Sequence, residues 1–460
     1  MAKKHFLAVL FLFCALSVFS QSFGTGALHD PDLYNQVQQK AATRDLVLLP
    51  RSASLKQYAP FPGNQDIFST CTAWSTAYAA KTIAESIGLK RLDRNLTTSN
   101  AFSPLFVYRN ISNDPSCESG TYIFNALDLM KKPGIPKRLS TETEDFRGVP
   151  LSLFASSSRY PIRDYARIFY FEAGVDKIRP VKRALAEGKP VIIGMQCYTS
   201  FSSAKGQWVH GGSTDRQRGN HAMVVVGYND DLYGGAFEIQ NSWGTRWGND
   251  GYIWVSYEDF NIYVNEAFEL IEDLLAYTNI AEFSGSVQIE VKGSNTGMEV
   301  EFVNEGYYKT KTSQPTGTDF RYIMNCDKPA YLYSFTATDA ANSYWRIFPQ
   351  DGVSAVLDYR ENSFAFPPDR PGEIDWMYLE GAPGAEYLVV LFSKQPLDID
   401  AIGRRFMSAR GNFAQRVEQA VGSNYIRPHT ARYERDRMAY TAQSSNENAV
   451  FGLLLAIDHR

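Results

Sequence analysis

Apolar side chains recur at helical spacing in the first part of the chain. One such stretch follows Ser69 and Thr70, two residues that favour the N-cap position, and it ends before Gly88. Two further stretches end before glycine or a Pro-Gly pair. The pattern predicts three helices, at residues 72–87, 122–131 and 180–187.

Strand patterns dominate after residue 190. Short runs there are rich in β-branched and aromatic residues, and turn residues separate them. The predicted strands are 191–195, 222–228, 236–240 and 252–256. Because helices come first and strands follow, we expect an α+β domain and not alternating βαβ units.

The pattern changes again after residue 273. Residues 283–395 contain short alternating segments between turn-rich stretches, which is typical of a β-sandwich-like domain. The clearest segments are 286–291, 298–303, 330–335 and 387–392, followed by a predicted helix at 397–421 and a predicted closing strand at 449–457.

The length and the charge limit the classes of protein to consider. The chain has 460 residues, which is too many for one compact core, so we expect two domains. We place them at 46–275 and 283–460, after a short polar leader at 21–45. The formal charge is −4 and no cluster of Lys and Arg stands out, so we expect no nucleic-acid partner.

The first twenty residues have the pattern of an export signal. Lys3 and Lys4 precede an apolar run from Phe6 to Phe19, and Ser20 supplies a small residue at the expected cut. This run is too short to span a bilayer, and no other apolar run is long enough. We therefore expect an exported protein without a transmembrane segment, in a periplasm, on a cell surface or outside the cell.

Cysteine usage leaves the disulfide state open. Cys71, Cys117, Cys197 and Cys326 remain after removal of the predicted signal. Export permits disulfides, and Cys117–Cys197 is the one pair considered inside the first domain. Buried reduced thiols that act as small apolar side chains are the alternative.

Four residues have the chemistry of a thiol-dependent acyl-transfer site. Cys71 lies at the predicted start of a helix, where the dipole favours a thiolate. His221 supplies an imidazolium and an acid for the leaving amine, and Asn241 can orient its ring. The side chain of Gln65 and the backbone N–H of Cys71 can donate to an oxyanion.

Each of these residues alone has an ordinary structural interpretation. A cysteine or histidine beside an apolar segment usually belongs to the core. Together they are more specific, because His221 lies 150 residues after Cys71, within the roughly 130–150 residues typical of one class of thiol enzyme. His210 is the nearest competitor, but it lies in a loop rich in glycine and serine.

The segments around these residues resemble the papain family of cysteine peptidases. The matching residues are Gln65 six residues before the nucleophile, Asn220-His221-Ala222, Asn241-Ser242-Trp243-Gly244, Trp247-Gly248 and Gly251-Tyr252. The resemblance covers about residues 46–272 and implies a two-lobed fold with a helical lobe and a β-rich lobe. It also implies that Trp243 shields the hydrogen bond between His221 and Asn241.

The same resemblance implies a substrate-binding segment. Glu118-Ser119-Gly120 is similar to the family's Gly-Gly segment, whose backbone pairs with the substrate, although only Gly120 matches well. We therefore expect Ser119, Gly120, Asn220 and Trp243 to bind substrate. Phe68 replaces a family half-cystine, and the leader is several times shorter than the family's inhibitory prosegment.

These observations predict an exported endopeptidase that hydrolyses polypeptides through a Cys71 thioacyl-enzyme, without a metal or organic cofactor. A catalytically silent binding protein, an acyl transferase or amidase, and a scaffold whose β-rich half carries the function stay open as alternatives. Residues 283–460 resemble, more weakly, a bacterial domain of unknown function appended to exported peptidases. A structural role and a role in binding substrate, a protein partner or a surface both stay open for it.

Overall fold

The structure is a computed structural model that describes residues 23–44, 47–172, 175–272, 281–338, 343–359, 362–369, 374–380, 383–426 and 431–460. The predicted export signal at 1–20 lies outside the described residues, as do residues 276–280 of the predicted junction between the two domains. None of the helices described is long and apolar enough to cross a membrane.

A central buried helix organises the helical lobe, as the sequence predicts. It has three consecutive segments: the α-helical turn Cys71–Ala73, the π-helical segment Trp74–Lys81 and the α-helix Thr82–Gly88. Every residue of the first two segments is buried. Wide π-helical turns are rare and occur often beside functional sites.

The predicted capping position of this helix is confirmed, because Thr70 is its N-cap residue. The hydroxyl of Thr70 makes no capping hydrogen bond, however, and has no partner among the described residues. The hydroxyl of Ser69 donates instead to the carbonyl oxygen of Thr25, 3.0 Å away. Another segment of the chain therefore contacts the start of the helix at Ser69.

Shorter helices surround the central one and pack on the sheet of the second lobe. The predicted helices at 122–131 and 180–187 are confirmed with small shifts of their ends. The further α-helices of the first 272 residues are Pro31–Tyr34, Arg94–Ser99, Pro104–Ile111, Ile123–Lys131, Ile178–Ala186, Thr199–Ser202 and Tyr257–Tyr263.

The second lobe is a sheet of eight described strands. They are β1 (Ser52–Ser54), β2 (Asp164–Tyr170), β3 (Val191–Tyr198), β4 (Gln207–Trp208), β5 (Gln217–Asn229), β6 (Ala236–Gln240), β7 (Tyr252–Ser256) and β8 (Val264–Ile271). The order is β2-β8-β3-β5-β6-β7-β4, with β1 paired to β5. The four predicted strands are confirmed as β3, β5, β6 and β7, and the helical and β-rich lobes together form the expected α+β domain.

The second domain is a β-sandwich with two helices between its strands β18 and β19, which confirms the predicted β-rich fold. Its strands are β9 (Ala281–Val291), β10 (Val300–Asn304), β11 (Tyr307–Thr310), β12 (Asp319–Cys326), β13 (Ala330–Thr338), β14 (Ser343–Phe348), β15 (Val356–Leu357), β16 (Asn362–Phe366), β17 (Met377–Tyr378), β18 (Gly384–Ser393), β19 (Ala431–Tyr433), β20 (Met438–Ser444) and β21 (Val450–His459). They form two sheets, with orders β10-β11-β21-β18-β13-β14 and β16-β12-β9-β20-β19. One apolar cluster fills the space between the sheets.

The predicted single helix at 397–421 is wrong in one respect. It consists of two helices, Ile399–Ser408 and Phe413–Val421. Gly411 between them has a φ of +112°, and Asn412 caps the second helix through a capping box with Gln415. A helix cannot continue through a glycine in that conformation, so the chain turns and begins a new helix.

Residues 39–44 of the leader lie between the two domains. The N–H of Lys40 donates to the carbonyl oxygen of Arg167 in the first domain, and the N–H of Gln39 donates to that of Gly352 in the second. The ammonium of Lys40 contacts both Glu269 of β8 and Asp358 of the second domain. The leader therefore connects the domains as well as preceding them.

All four cysteines of the described residues are free and buried. The Cys117–Cys197 pair considered from the sequence does not form. Cys117, Cys197 and Cys326 are buried small side chains, in agreement with the alternative interpretation.

Candidate active site

Cys71 is the first residue of the central helix, and its side chain is completely buried. The backbone N–H of Ala222 in β5 points to its sulfur, with 3.5 Å between nitrogen and Sγ. The helix start of one lobe and a central strand of the other thus meet at this sulfur. Since Ala222 follows His221 directly in the same strand, the histidine is adjacent in sequence to the residue that contacts the Cys71 sulfur.

His221 and Asn241 form a buried hydrogen bond. Nε2 of the imidazole lies 2.7 Å from Oδ1 of Asn241, which also accepts the N–H of Ser242 at 2.7 Å. Because an amide oxygen only accepts, Nε2 carries the proton in this pair. Nδ1 is then the basic nitrogen, and it has no hydrogen-bond partner in the described part of the chain.

The indole of Trp243 covers this pair. It stacks on the ring of His221 with centroids 4.8 Å apart and an angle of 26° between the planes. Trp243 itself is only 4% exposed. The hydrogen bond between His221 and Asn241 is therefore excluded from water, which is the arrangement that the sequence resemblance implies.

The side chain of Gln65 is held on both sides of its amide. Its Oε1 accepts the hydroxyl of Ser242 at 2.6 Å, and its Nε2 donates to the carbonyl oxygen of Phe68 at 2.7 Å. A second carbonyl, that of Gly24, accepts from the same Nε2 at 3.1 Å. An oriented amide that already binds a carbonyl oxygen has the chemistry of an oxyanion donor.

Gly24, whose carbonyl oxygen accepts from Gln65, belongs to the leader. The first part of the leader lies in the cleft between the two lobes. The N–H groups of Gly26 and Ala27 both donate to the carbonyl oxygen of Asn220 at 3.1 Å. Thr121 donates to Gly26 at 2.8 Å and accepts from Leu28 at 3.0 Å, so the leader pairs with it in the parallel sense. Residues 23–29 are here called the cleft segment.

Two glycines allow the cleft segment to lie this close. A Cβ at Gly24 would come within 2.1 Å of the carbonyl oxygen of Phe68, and one at Gly26 would come within 2.5 Å of that of Ser69. Both neighbours are backbone atoms at the start of the central helix. No side chain fits at either position without moving the segment out of the cleft.

Burial favours the neutral forms of the Cys71 thiol and the His221 imidazole. Loss of water raises the pKa of the Cys71 thiol to about 11, although the N–H groups of Ala222 and Gly26 oppose the change. The same loss lowers the pKa of His221 to about 4. The thiolate and imidazolium expected from the sequence are therefore disfavoured in this form, because both charges would lie away from water.

The predicted substrate-binding residues lie along the cleft segment, with one exception. Asn220 and Trp243 bind its backbone, and a Cβ at Gly120 would lie 2.7 Å from the oxygen of Gly26. The backbone N–H of Ser119 instead donates to Asp114, and its carbonyl accepts the hydroxyl of Tyr108. Ser119 thus shapes the turn before Gly120.

Sequence reasoning missed Thr121 and Ser69, which both bind the cleft segment. The position of Thr121, next to Gly120, is the only signal that pointed to it. The competing histidine, His210, stacks on Tyr263 and lies 3.9 Å from Asp215. His210 thus makes contacts with Tyr263 and Asp215. His221, in contrast, directly precedes Ala222, whose N–H contacts the Cys71 sulfur.

The fold and the site together are typical of cysteine peptidases. The fold is a two-lobed α+β domain, and the site has a buried thiol at a helix start, a shielded His–Asn pair and an oriented glutamine. Residues 69–268 match the papain family cysteine proteases, so the chain contains a domain of that family. This agrees with the resemblance of the motifs around Cys71, His221 and Asn241.

Similar proteins support the same class. The chain is 29% identical over 229 residues to an uncharacterized peptidase C1-like protein of Acanthamoeba polyphaga mimivirus, which covers 47% of this chain and 68% of the relative. It is 26% identical to cathepsin C of Schistosoma mansoni over 41% of this chain and 42% of the relative. It is 34% identical to cathepsin K of Gallus gallus over 33% and 44%. The chain thus spans less than half the length of these two cathepsins.

Among solved structures, the chain is similar to xylellain, a cysteine protease from Xylella fastidiosa. The identity is 23%, the TM-score is 0.45, and the match covers 55% of this chain and 97% of that chain.

Proposed function

We propose that this protein is an exported cysteine-type endopeptidase with Cys71 as nucleophile. The observation that carries the proposal is the meeting of a thiol, a shielded imidazole and an oriented amide donor around one cleft that already holds a peptide backbone. The substrate is a polypeptide, because the cleft binds the cleft segment through backbone groups that any peptide has. The proposed export rests on the charged and apolar pattern of residues 1–20.

The reaction begins when the thiol proton of Cys71 passes to His221. Nδ1 of His221 takes the thiol proton, and the sulfur forms a bond to the substrate carbonyl carbon while the C=O electrons move to oxygen. Collapse of this intermediate breaks the C–N bond, and the amine leaves with the proton from His221. Water then attacks the thioester, its proton passes through His221 to the sulfur, and the acid product leaves.

Gln65 stabilises the negative oxygen in both steps. Its Nε2 already donates to a carbonyl oxygen, and its own position is fixed by Ser242 and Phe68. A donor that is oriented before the reaction needs no reorganisation when charge develops. Asn241 keeps the imidazole in the tautomer whose free Nδ1 can accept the thiol proton.

The direction of the cleft segment explains how it can stay intact beside the nucleophile. His221 must protonate the leaving amine and Trp243 stacks on His221, so the leaving part of a substrate extends toward Trp243. The acyl part precedes the scissile bond and extends the other way, toward Glu266. The cleft segment runs from Gly24 at Trp243 to His29 at Glu266, which is the reverse of a substrate.

We infer that the described form is a restrained one and that activity requires displacement of the cleft segment. With that segment in place, the thiol and the imidazole are both neutral and water is excluded from them. Displacement returns water to the cleft and lets the proton transfer that creates the thiolate occur. A leader of this length therefore suffices as a restraint.

The second domain contributes to the same restraint. Lys40 of the leader pairs with Asp358 at 2.7 Å, and Lys189 of the first domain contacts the other oxygen of this carboxylate. Arg44 lies 3.2 Å from Asp369 and donates its backbone N–H to the carbonyl of Ser363. The second domain thus holds the leader at its C-terminal end, whereas the cleft holds it at the other.

Covalent labelling tests the proposed function. The full chain with Gly26→Leu, which displaces the cleft segment, is incubated under reducing conditions with the epoxide inhibitor E-64, and peptide mass mapping locates the adduct. We expect one adduct on Cys71 and cleavage of a casein substrate, both lost in Cys71→Ala. A folded Gly26→Leu protein that forms no adduct and cuts nothing would identify a silent binding domain instead.

A further inference from the structure

The later part of the leader pairs with a strand edge in each domain. Strand β2 is at the end of the described strand order of its sheet, and β16 is at the end of the order of one sheet of the second domain. The N–H of Arg167 in β2 donates to the carbonyl oxygen of Gln38 at 3.0 Å, and the N–H of Arg44 donates to that of Ser363 in β16 at 2.6 Å. An edge strand has free backbone groups that an extended peptide can bind. The leader therefore occupies both edges in the manner of a bound peptide.

Residues 352–354 of the second domain bind the leader between these edges. The N–H of Gln39 donates to the carbonyl oxygen of Gly352 at 2.7 Å, and the carbonyl oxygen of Gln39 accepts the N–H of Ser354 at 2.8 Å. Ala41 is 6% exposed and packs into the apolar cluster between the two sheets. The edges of β2 and β16 together with residues 352–354 are here called the edge groove. It recognises a peptide backbone and one small side chain.

Lys40 fills a buried acidic position beside the edge groove. Its ammonium contacts the carboxylates of Glu269 and Asp358, and Asp358 also contacts Lys189. These two carboxylates and the ammonium of Lys189 carry one net negative charge, which Lys40 balances. Because a buried carboxylate without a counter-charge is unfavourable, this position requires a cation from the peptide that occupies the groove.

Arg44 fills a second acidic position with the same balance of charge. Its Nε lies 3.2 Å from Asp369, and its Nη1 lies 3.6 Å from Glu290. Arg321 pairs with both of these carboxylates, so one negative charge remains for Arg44 to balance. The two carboxylates are 39% and 35% exposed, so we expect this position to contribute less to binding than that of Lys40.

The contacts of the edge groove do not depend on the rest of the leader. They involve backbone groups, two cations four residues apart and a small residue after the first cation, which other polypeptides can also provide. Leu48 is 95% exposed, so the link after the leader is open to cleavage. Once this link is cut and the leader has left, both strand edges and both acidic positions can bind another segment.

We propose that the edge groove is a binding site for an extended segment of another polypeptide, one in which a small residue follows a Lys and an Arg lies four positions after that Lys. The leader occupies the groove until its link is cut. This inference goes beyond the proposed peptidase function, because it assigns a binding role to the second domain. Since binding can be measured without catalysis, the two proposals can fail separately.

Peptide binding tests the inference in a full chain with Cys71→Ala and Gly26→Leu, into which a protease recognition sequence is inserted after Leu48. Cys71→Ala prevents cleavage of the peptide, and Gly26→Leu displaces the cleft segment. After the cut, we expect the leader to separate from the chain on size-exclusion chromatography. A fluorescent peptide of residues 36–44 should then bind the emptied chain saturably, which a rise in fluorescence anisotropy would show.

Variants of the peptide identify what the groove recognises. A peptide with serine at every position except the Lys, the Ala and the Arg should bind within about tenfold of the leader peptide, because the backbone and these side chains make the contacts. Lys40→Gln together with Arg44→Gln in the peptide should weaken binding at least tenfold, since both charge-assisted contacts are lost. Ala41→Leu should also weaken it, because the larger side chain has to enter a packed cluster.

A variant of the protein locates the position that Arg44 fills. Asp369→Asn should weaken binding of the leader peptide but not of its Arg44→Gln variant, since the two changes remove the same contact. Glu299→Gln is the matched control, because Glu299 lies in the same domain in an exposed pair with Lys311. It should leave the affinity unchanged.

Four outcomes of these experiments would overturn the inference. In the first, the emptied chain binds no peptide up to about 1 mM. In the second, the peptide with two glutamines binds as well as the leader peptide. In the third, the serine peptide does not bind, which would show that the groove recognises the leader alone. In the fourth, the leader stays on the cut chain and does not exchange with about 1 mM peptide, which would identify the groove as a permanent junction.

A second measurement needs neither the inserted sequence nor Gly26→Leu. In an uncut Cys71→Ala chain whose leader carries Lys40→Gln and Arg44→Gln, the leader lacks both cations and is held more weakly. The fluorescent peptide of residues 36–44 should then replace it in the groove, whereas the peptide with two glutamines should not. Absence of binding, or equal binding of the two peptides, would overturn the inference even if the cut chain did not fold.

Discussion

Gln65 donates a hydrogen bond to the carbonyl oxygen of Gly24 over 3.1 Å, so a segment of the protein's own leader occupies the donor that a substrate carbonyl would use. Trp243 donates to the same oxygen at 3.2 Å. The side-chain amide of Gln65, which we propose as the oxyanion donor, therefore also holds the leader in place.

Displacement of the cleft segment should activate the enzyme. Gly26→Leu places a side chain where even a Cβ would lie 2.5 Å from a backbone oxygen, so the segment must leave. We expect hydrolysis of a fluorogenic peptide to rise at least tenfold over the unmodified chain. Gly384→Leu is the control, because a Cβ at that position meets nothing within 4 Å. An unchanged rate in Gly26→Leu would show that the leader does not restrain the site.

The four site residues should differ in the effect of their loss. In the Gly26→Leu background, Cys71→Ala and His221→Ala should abolish turnover, because one removes the nucleophile and the other the acid and base. Gln65→Ala should lower kcat about 10²- to 10³-fold, as for other oxyanion donors. Asn241→Ala should lower it less than His221→Ala, since the imidazole stays. Activity of His221→Ala equal to that of its parent would contradict the assigned roles.

Acid should favour opening of the cleft. The pKa of His221 is about 4 in the closed form, and its ordinary value of about 6.5 returns once water reaches the ring. Between these values the open form binds more protons than the closed form, so lowering the pH from 6.5 toward 4 shifts the equilibrium toward opening.

Hydrogen exchange of the cleft-segment amides in a Cys71→Ala chain, corrected for intrinsic exchange, measures this equilibrium. We expect protection to fall by about fortyfold between pH 6.5 and pH 4.5. His221→Gln should remove most of that dependence. Protection that does not change with pH, or that rises in acid, would contradict the linkage.

The leader's attachment to the second domain should withstand the same acid. Burial opposes ionisation of Asp358, but Lys189 and Lys40 outweigh it and hold the pKa of this carboxyl at about 2. Because the folded pKa lies below the ordinary value, the stability that this group adds is present above about pH 4 and is lost only as the pH falls toward 2. We therefore expect exchange at the N–H of Lys40 to stay slow at pH 4.5, where exchange at Gly26 is fast.

Loss of the Lys40 ammonium should loosen the whole molecule. Lys40→Met leaves Glu269 without its cation and Asp358 with only Lys189. Breaking a buried pair destabilises by about 3–5 kcal/mol, and we expect the lower end because Lys189 remains. Urea denaturation of Cys71→Ala chains measures it. Arg51→Met is the control, since its pair with Asp231 is exposed and its loss should not move the midpoint.

Local sequence patterns predicted those helices and strands that have a clear hydrophobic period and turn residues at their ends. The helix after Cys71 and strands β3, β5, β6 and β7 follow period and turn signals, and the site motifs lie at their ends. Strands β2 and β8 were missed because they carry charged side chains at buried positions, so they show neither strict alternation nor an unbroken apolar run. These residues are Asp164 and Arg167 in β2 and Glu266 and Glu269 in β8.

The place of the leader could not be read from the sequence. Its cleft segment is short, has two glycines and shows no periodicity, so it was predicted only as a polar leader. What positions it are backbone hydrogen bonds to Asn220 and Thr121, which lie far away in the sequence. Such contacts depend on the folded cleft and leave no mark in the composition of the leader.

The link between the leader and the first domain also determines how lasting the restraint is. Leu48, just after the described part of the leader, is 95% exposed, so this link is open to proteolysis. In the uncut chain the cleft segment competes with substrate at an effective concentration on the order of millimolar, because both belong to one molecule. A nick at this link would remove the covalent tether, and the cleft segment would then be held in place by its noncovalent contacts alone.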